Sequence, residues 1–169
     1  MKNARSALIG GALAVLAGVA VGAAAVDPSL KLSKAQGAYL LGCGGCHGEE
    51  GTSNGRLVPD LRGQVGYYLA TQAGREYIVR LPNVSFYTAS NDELAQILNY
   101  VVFTLGADGV PAHARPYTAP EVARLRQAPL TEVSLVAYRG RLVDDLIAHH
   151  AAPVSLKLYG TTAYAPATP

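Results

Sequence analysis

Residues 43–47 read CGGCH, which places two thiols and an imidazole within five positions. Cysteines two residues apart can close a disulfide, help hold zinc, exchange disulfides or, with a histidine directly after them, carry haem. Zinc needs four ligands, usually a second Cys or His pair at similar spacing. Cys43 and Cys46 are the only cysteines, and His113, His149 and His150 lie far along the chain. A thioredoxin-like pair needs a strand–helix–strand setting, and no strand pattern surrounds this motif. A structural disulfide has no use for His47. Cys-x-x-Cys-His is the attachment sequence of c-type haem. The two thiols add to the two vinyl groups of one haem, so they must sit on one side of a short helical turn. His47 then projects its imidazole under the iron as a metal ligand. Gly44 and Gly45 put no side chain between backbone and porphyrin.

Helices must hold that turn in place. Ser33 and Gln36 have the Ser-x-x-Gln spacing of a capping box, which starts a helix just before Lys34. Ser90 and Glu93 form a second box in SNDE. Leu94, Ile97, Leu98 and Val101 follow it at helical spacing, and Gly106 is the expected stop. Thr118 and Glu121 form a third, with Pro120 early in a helix that runs to about Gln127 and stops before Pro129. Thr131 opens a longer helix to about His150. Its apolar face is Val133, Leu135, Val136, Leu142, Val143, Leu146 and Ile147, and its polar face carries Arg139, Arg141, Asp144 and Asp145.

From about Leu30 to Gly106 the chain resembles the single-haem cytochrome c domain. Ala35 and Tyr39, eight and four residues before Cys43, match the small and aromatic positions by which that family packs its first helix on a later one. Tyr100 matches the aromatic of the later helix. HGEEG resembles the family's turn after the motif. Pro59 and Leu61 resemble its Pro-x-Leu element. The resemblance implies that the Pro59 carbonyl accepts a hydrogen bond from the His47 ring, fixing its orientation and strengthening it as a ligand. The stretches GREYIVRLPNV, SNDELAQILNYVVFTLG and PYTAPEVARLR also resemble a branch found with periplasmic quinoprotein dehydrogenases.

One departure stands out. Electron-carrying relatives place a methionine across the iron, in a Met-Pro-like element before the last helix. Leu81-Pro82 occupies that place, and Met1 is the only methionine of the chain. Axial ligand identity is a main control of haem potential. His113 could swing back over the haem from the flexible stretch GADGVPAHARP. Lys31, Lys34, Asn83 or Tyr87 could bind instead, or the position could stay open. His149 and His150 end a helix, where histidines often sit without any metal. One of Arg56, Arg62, Arg75 and Arg80 suits a haem propionate by its guanidinium, although surface arginines are the commoner case.

The first residues, MKNARSALIGGALAVLAGVAVGAAAVDPSL, show a short positive start, an uncharged run from Ala7 to Val26 and small residues at Ala23 and Ala25. This is the pattern of a secretory signal peptide over residues 1–25. An uncleaved membrane anchor facing the periplasm is the alternative. Cleavage removes two of the 14 basic residues and none of the 12 acidic ones, so the remainder is formally neutral. No basic stripe points to nucleic acid.

The expected fold is all-α. A cytochrome c-like helical domain at 30–106 surrounds one covalently bound haem c with its iron. A two-helix extension spans 107–152, and an extended tail spans 153–169. The expected role is periplasmic one-electron transfer, as a carrier and not an enzyme. A periplasmic dehydrogenase would be the donor and the respiratory chain the acceptor. A ligand-binding or sensor haem protein with an open sixth position is the alternative, and weak peroxidase-type chemistry a third reading.

Overall fold

The structure, a computed structural model, describes residues 32–53 and 58–158. The expected signal peptide, Lys31, Arg56 and the end of the expected tail lie outside the described residues.

Short polar side chains start the helices where their spacing requires. The first N–H groups of a helix have no partner within it, and a hydroxyl just before the helix accepts from one of them. Ser33 Oγ accepts from Gln36 N at 3.1 Å and opens α1, Lys34–Gly42. Ser90 Oγ accepts from Glu93 N at 3.1 Å and opens α5, Asn91–Tyr100. Thr118 Oγ1 does the same for α6, Ala119–Arg126, with Pro120 in its first turn. Thr71 caps α3, Gln72–Arg80. Two helices of one turn each complete this part: α2, Gly44–His47, carries the motif, and α4, Pro82–Ser85, follows Leu81. After Tyr100 the helix widens into a π-helical turn, Val101–Leu105, which ends at Gly106.

The core explains the choice of apolar positions. α1 crosses α5, where the Tyr39 and Tyr100 rings meet at 5.5 Å between centroids. Tyr39 is fully buried, and Leu94, Ile97, Leu98 and Val101 all point inward. The 3-10 segment Val65–Ala70 lies against the π-helical turn. There Gly66 and Gly106 bring two backbones together so closely that a Cβ on either would strike the other chain segment.

The C-terminal part corrects two expectations. The last long helix, α7, spans Leu135–Ala148 and is capped by Ser134 Oγ on Ala137 N at 3.2 Å, not opened by Thr131. Val133 and Val136 are exposed, whereas Arg139 is buried. The inner face is Arg139, Val143 and Leu146. Within the segment expected as a tail, Val154–Lys157 forms a 3-10 turn with Leu156 buried against α7. α6 packs on α5 and α3, and α7 on the Val65–Ala70 segment. Among the described residues there is no strand, and no helix is long and apolar enough to cross a membrane. The fold is all-α.

Candidate haem site

The motif forms one tight turn at the end of α1. Cys43 closes α1 by donating its N–H to Tyr39 O at 2.8 Å. Its own carbonyl then accepts from Cys46 N at 3.2 Å and His47 N at 3.0 Å. That turn sets both thiols and the imidazole on the wall of one cavity. Both cysteines are free thiols, Cys43 half-buried and Cys46 exposed. A Cβ at Gly45 would meet nothing within 4 Å, and one at Gly44 would make only ordinary contact with Leu40. Alanine fits at both places. Gly42 is different: a Cβ there would strike the Tyr87 ring.

The turn after the motif is fixed by two glycines and a tyrosine. Gly48 and Gly51 have φ of 75° and 78°, the left-handed region that favours glycine. A Cβ at Gly48 would run into Thr52 O. Tyr39 donates its hydroxyl hydrogen to Gly48 O at 2.6 Å, tying the turn to α1 from below. Burial, with the Cys43 and Tyr100 groups nearby, pushes the Tyr39 phenol up to about 12, so it remains a donor.

His47 is oriented as the Pro-x-Leu resemblance implied. Its Nδ1 lies 3.0 Å from Pro59 O. A carbonyl only accepts, so Nδ1 carries the proton and Nε2 keeps its lone pair. Burial lowers the His47 pKa, partly opposed by the Pro59 bond and the Asp60 charge, and the neutral form is the one that ligates metal. Burial, then the neighbouring Cys46, pushes the Cys43 thiol up.

Sequence reasoning missed the latch behind Pro59. Asp60 is buried, and its Oδ1 accepts from Ser53 N at 2.7 Å and Ser53 Oγ at 3.0 Å. Ser53 Oγ also reaches Val58 O at 2.8 Å. The loop that presents the Pro59 carbonyl is thereby pinned at its base. An aspartate directly after the proline was the available signal.

The cavity has a volume of about 410 Å³, within the range of small-molecule and cofactor sites. Its walls are mainly apolar, from Val65, Ile78, Leu81, Leu94, Leu98 and Val101 among others. Tyr68, Tyr77, Asn83, Tyr87 and Arg139 supply polar groups. Gln64, whose buried Oε1 has no hydrogen-bond partner, also lines the cavity. Two thiols, a neutral imidazole and an apolar slot suit a haem. Among the described residues no group of three or more His, Cys, Asp or Glu gathers to hold a metal.

The other expected ligands fare differently. Leu81 and Pro82, at the place of the relatives' methionine, line the cavity, and so do Asn83 and Tyr87. His113 does not. It is exposed in a turn after Pro111, closed by Ala114 N donating to Pro111 O at 2.9 Å. His149 and His150 are exposed at the end of α7. Lys34 faces a separate small hollow with Ser90 and Glu93. Arg62, Arg75 and Arg80 are engaged elsewhere, with Glu50, Glu121 and Ala128 O respectively.

Comparison with known proteins agrees with this geometry. A cytochrome c-552 of Thermus thermophilus is 30% identical over 132 residues, covering 67% of this chain and 89% of that protein. The chain belongs to the c-type cytochromes. A second cytochrome c-552 of Thermus thermophilus is 29% identical over 118 residues, covering 59% of this chain and 90% of its own. No protein-family model matches the chain, and no solved structure matches it. A c-type cytochrome carries covalently bound haem c with its iron. In this cytochrome Cys43 and Cys46, with His47 between them and Pro59, have the chemistry to hold it.

Proposed function

We propose that this cytochrome transfers single electrons through one haem c, joined by thioether links to Cys43 and Cys46 and ligated by His47. The observation that carries the reading is the His47–Pro59 hydrogen bond at 3.0 Å, on the same cavity wall as both thiols. When bound, the haem supplies reversible one-electron chemistry at its iron.

The chain's own groups prepare that chemistry. The Pro59 carbonyl keeps the His47 ring in one tautomer and one orientation, with Nε2 available. The Asp60–Ser53 latch and the Tyr39–Gly48 bond hold the two ends of the loop between them. The apolar walls exclude water, which limits solvent reorganisation around the iron. The role is that of a carrier and not an enzyme, in an extracytoplasmic compartment reached through the N-terminal segment. A periplasmic dehydrogenase of the quinoprotein kind is the proposed donor, and the respiratory chain the acceptor.

The test is direct. Protein exported with haem-ligating machinery should keep haem on a denaturing gel stained for peroxidase activity. A gel without stain removes the reading.

A second reading is a ligand-binding haem protein with an open sixth position. Leu81 at the methionine's place and the exposed position of His113 favour it. Carbon monoxide distinguishes the two. A low-spin spectrum unmoved by the gas supports the carrier, with Asn83 and Tyr87 of the cavity wall as the groups to examine. A high-spin spectrum that shifts at once supports the open site.

A further inference from the structure

We infer that Arg126 of α6 is the positioning residue that holds one wall of the haem cavity shut, and so limits the entry of small ligands to the iron. This rests on the haem reading above.

One guanidinium makes four bonds here. Nε donates to Ser85 O at 2.8 Å, and Nη2 donates to Tyr87 O at 2.5 Å. Nη1 donates to Ala89 O at 3.0 Å and to Asn91 Oδ1 at 3.0 Å. Three of these acceptors are backbone carbonyls of one short stretch, and the fourth belongs to the first residue of α5. The same stretch builds a wall of the cavity: Leu81, Pro82, Asn83, Val84 and Tyr87 all line it.

The wall is fastened at its start by other means. Ser85 Oγ donates to Val79 O at 2.9 Å, inside the core. Arg80 donates from Nε to Ala128 O at 2.6 Å, and Leu130 N donates to Arg80 O at 2.8 Å. Beyond Ser85 the chain turns outward, with Phe86 71% exposed and Thr88 exposed as well. Two further bonds there, Tyr87 N to Val84 O and Ala89 N to Tyr87 O, join the stretch only to itself. Yet the Tyr87 ring lies against Gly42, beside Cys43, so closely that a Cβ on Gly42 would strike it. The Arg126 bonds fix the backbone from which that ring reaches the haem turn.

A guanidinium suits this task. Its five donors lie in one rigid plane, so it can bind several carbonyls at once and fix their relative positions. Hydrogen bonds from a charged donor are also the stronger kind. A segment held this way opens locally with a free energy set by those bonds. A ligand entering past the wall binds at a rate that follows the open population. This holds whether the sixth position is filled or open, because the wall must move in either case.

Imidazole is the probe, since its ring nitrogen binds ferric iron and its size demands that the wall give way. The parent, Arg126→Ala, Arg126→Lys and Arg75→Ala are prepared as exported holoprotein, and imidazole is mixed with the ferric form in stopped flow. Loss of several charge-assisted bonds should make binding to Arg126→Ala at least about tenfold faster than to the parent. Arg75 bonds to Glu121 and to the Arg115 and Pro116 carbonyls, none of which lines the cavity. Arg75→Ala should therefore stay close to the parent, although it too weakens the hold on α6. Arg126→Lys puts one ammonium where separate carbonyls need separate donors, so its rate should fall between those of the parent and Arg126→Ala. An Arg126→Ala protein that binds imidazole no faster, or not at all, overturns the inference. So does an equal acceleration in Arg75→Ala, because any loosening of α6 would then suffice. Should Arg126→Ala fail to fold, Arg126→Lys decides, and a rate equal to the parent's overturns the inference. Covalent haem with unmoved rates leaves the haem reading intact; absence of covalent haem from the unaltered protein removes both.

Discussion

The haem turn and the α6 clasp are both held by hydrogen bonds to carbonyls, but over very different spans. Around the motif every bond is local: Tyr39 to Gly48 is nine residues, and His47 to Pro59 is twelve. Around α6 the partners lie 35 to 46 residues apart. Arg75 reaches Glu121 and the carbonyls of Arg115 and Pro116. Arg126 reaches back to the carbonyls of Ser85 and Ala89 and to Asn91 Oδ1. A porphyrin has fixed dimensions, so its anchors must keep a fixed spacing along the chain. A helix laid on a finished core can be fastened wherever a long arginine finds carbonyls that lack partners. Chemistry constrains the first region and geometry the second.

The largest effect should come from removing the anchors. With Cys43→Ala and Cys46→Ala together, covalent haem should disappear from the gel. The cavity of about 410 Å³ would also lose the group that fills it. A small domain depends on such a filler for much of its core, so cooperative thermal unfolding should be lost or strongly lowered. A double variant that still stains for haem after denaturation would break the contrast, because the turn would then not be the anchor.

Breaking the clasp should weaken the protein without touching the haem spectrum. Arg75→Ala leaves the Glu121 carboxylate without its guanidinium and removes the cation from above the Tyr117 ring, 4.1 Å away. Removing one member of a buried pair costs about 3–5 kcal/mol, to be read from denaturant unfolding. The pH dependence follows from Glu121. Its pKa is held below the usual 4.5, first by the Arg75 hydrogen bond. A carboxylate with a depressed folded-state pKa contributes stability that is complete above its unfolded value and lost as pH falls through the folded value. Glu121→Gln should therefore be less stable than the parent at neutral pH. The gap should narrow below about pH 4.5. A constant gap across that range would show that the carboxylate's charge contributes nothing to the clasp.

The same contrast explains what could be read in the sequence. The motif and the caps at Ser33, Ser90 and Thr118 were legible, because each depends on residues a few positions apart, and Pro59 was legible through the family resemblance alone. The inward stripe of α5 was legible because its period is regular. The arginine bonds to α6 were not, since nothing local marks which distant carbonyl an arginine will reach. Arg139 was misplaced for another reason. Grouping Arg139 by its charge with Arg141, Asp144 and Asp145 put it on the outer face. With Val143 and Leu146 fixing the inner face, a residue four before Val143 and seven before Leu146 must also point inward.

The smallest effect separates the two possible starts of α7. Ser134 and Thr131 are both competent caps, and an apolar residue follows each at a useful distance, so composition alone does not choose between them. The structure chooses Ser134, whose hydroxyl accepts from Ala137 N, while Thr131 is exposed ahead of the helix. Ser134→Ala should cost about 1 kcal/mol, the usual value of a lost N-cap. Thr131→Ala should stay within about 0.5 kcal/mol of the parent, as for a surface change that touches no cap. Ser134→Ala should loosen the N-terminal end of α7 first. Amide exchange over residues 135–139 would then quicken while that of α5 stays as it was. The reverse ranking of the two variants would mean that the helix begins a turn earlier.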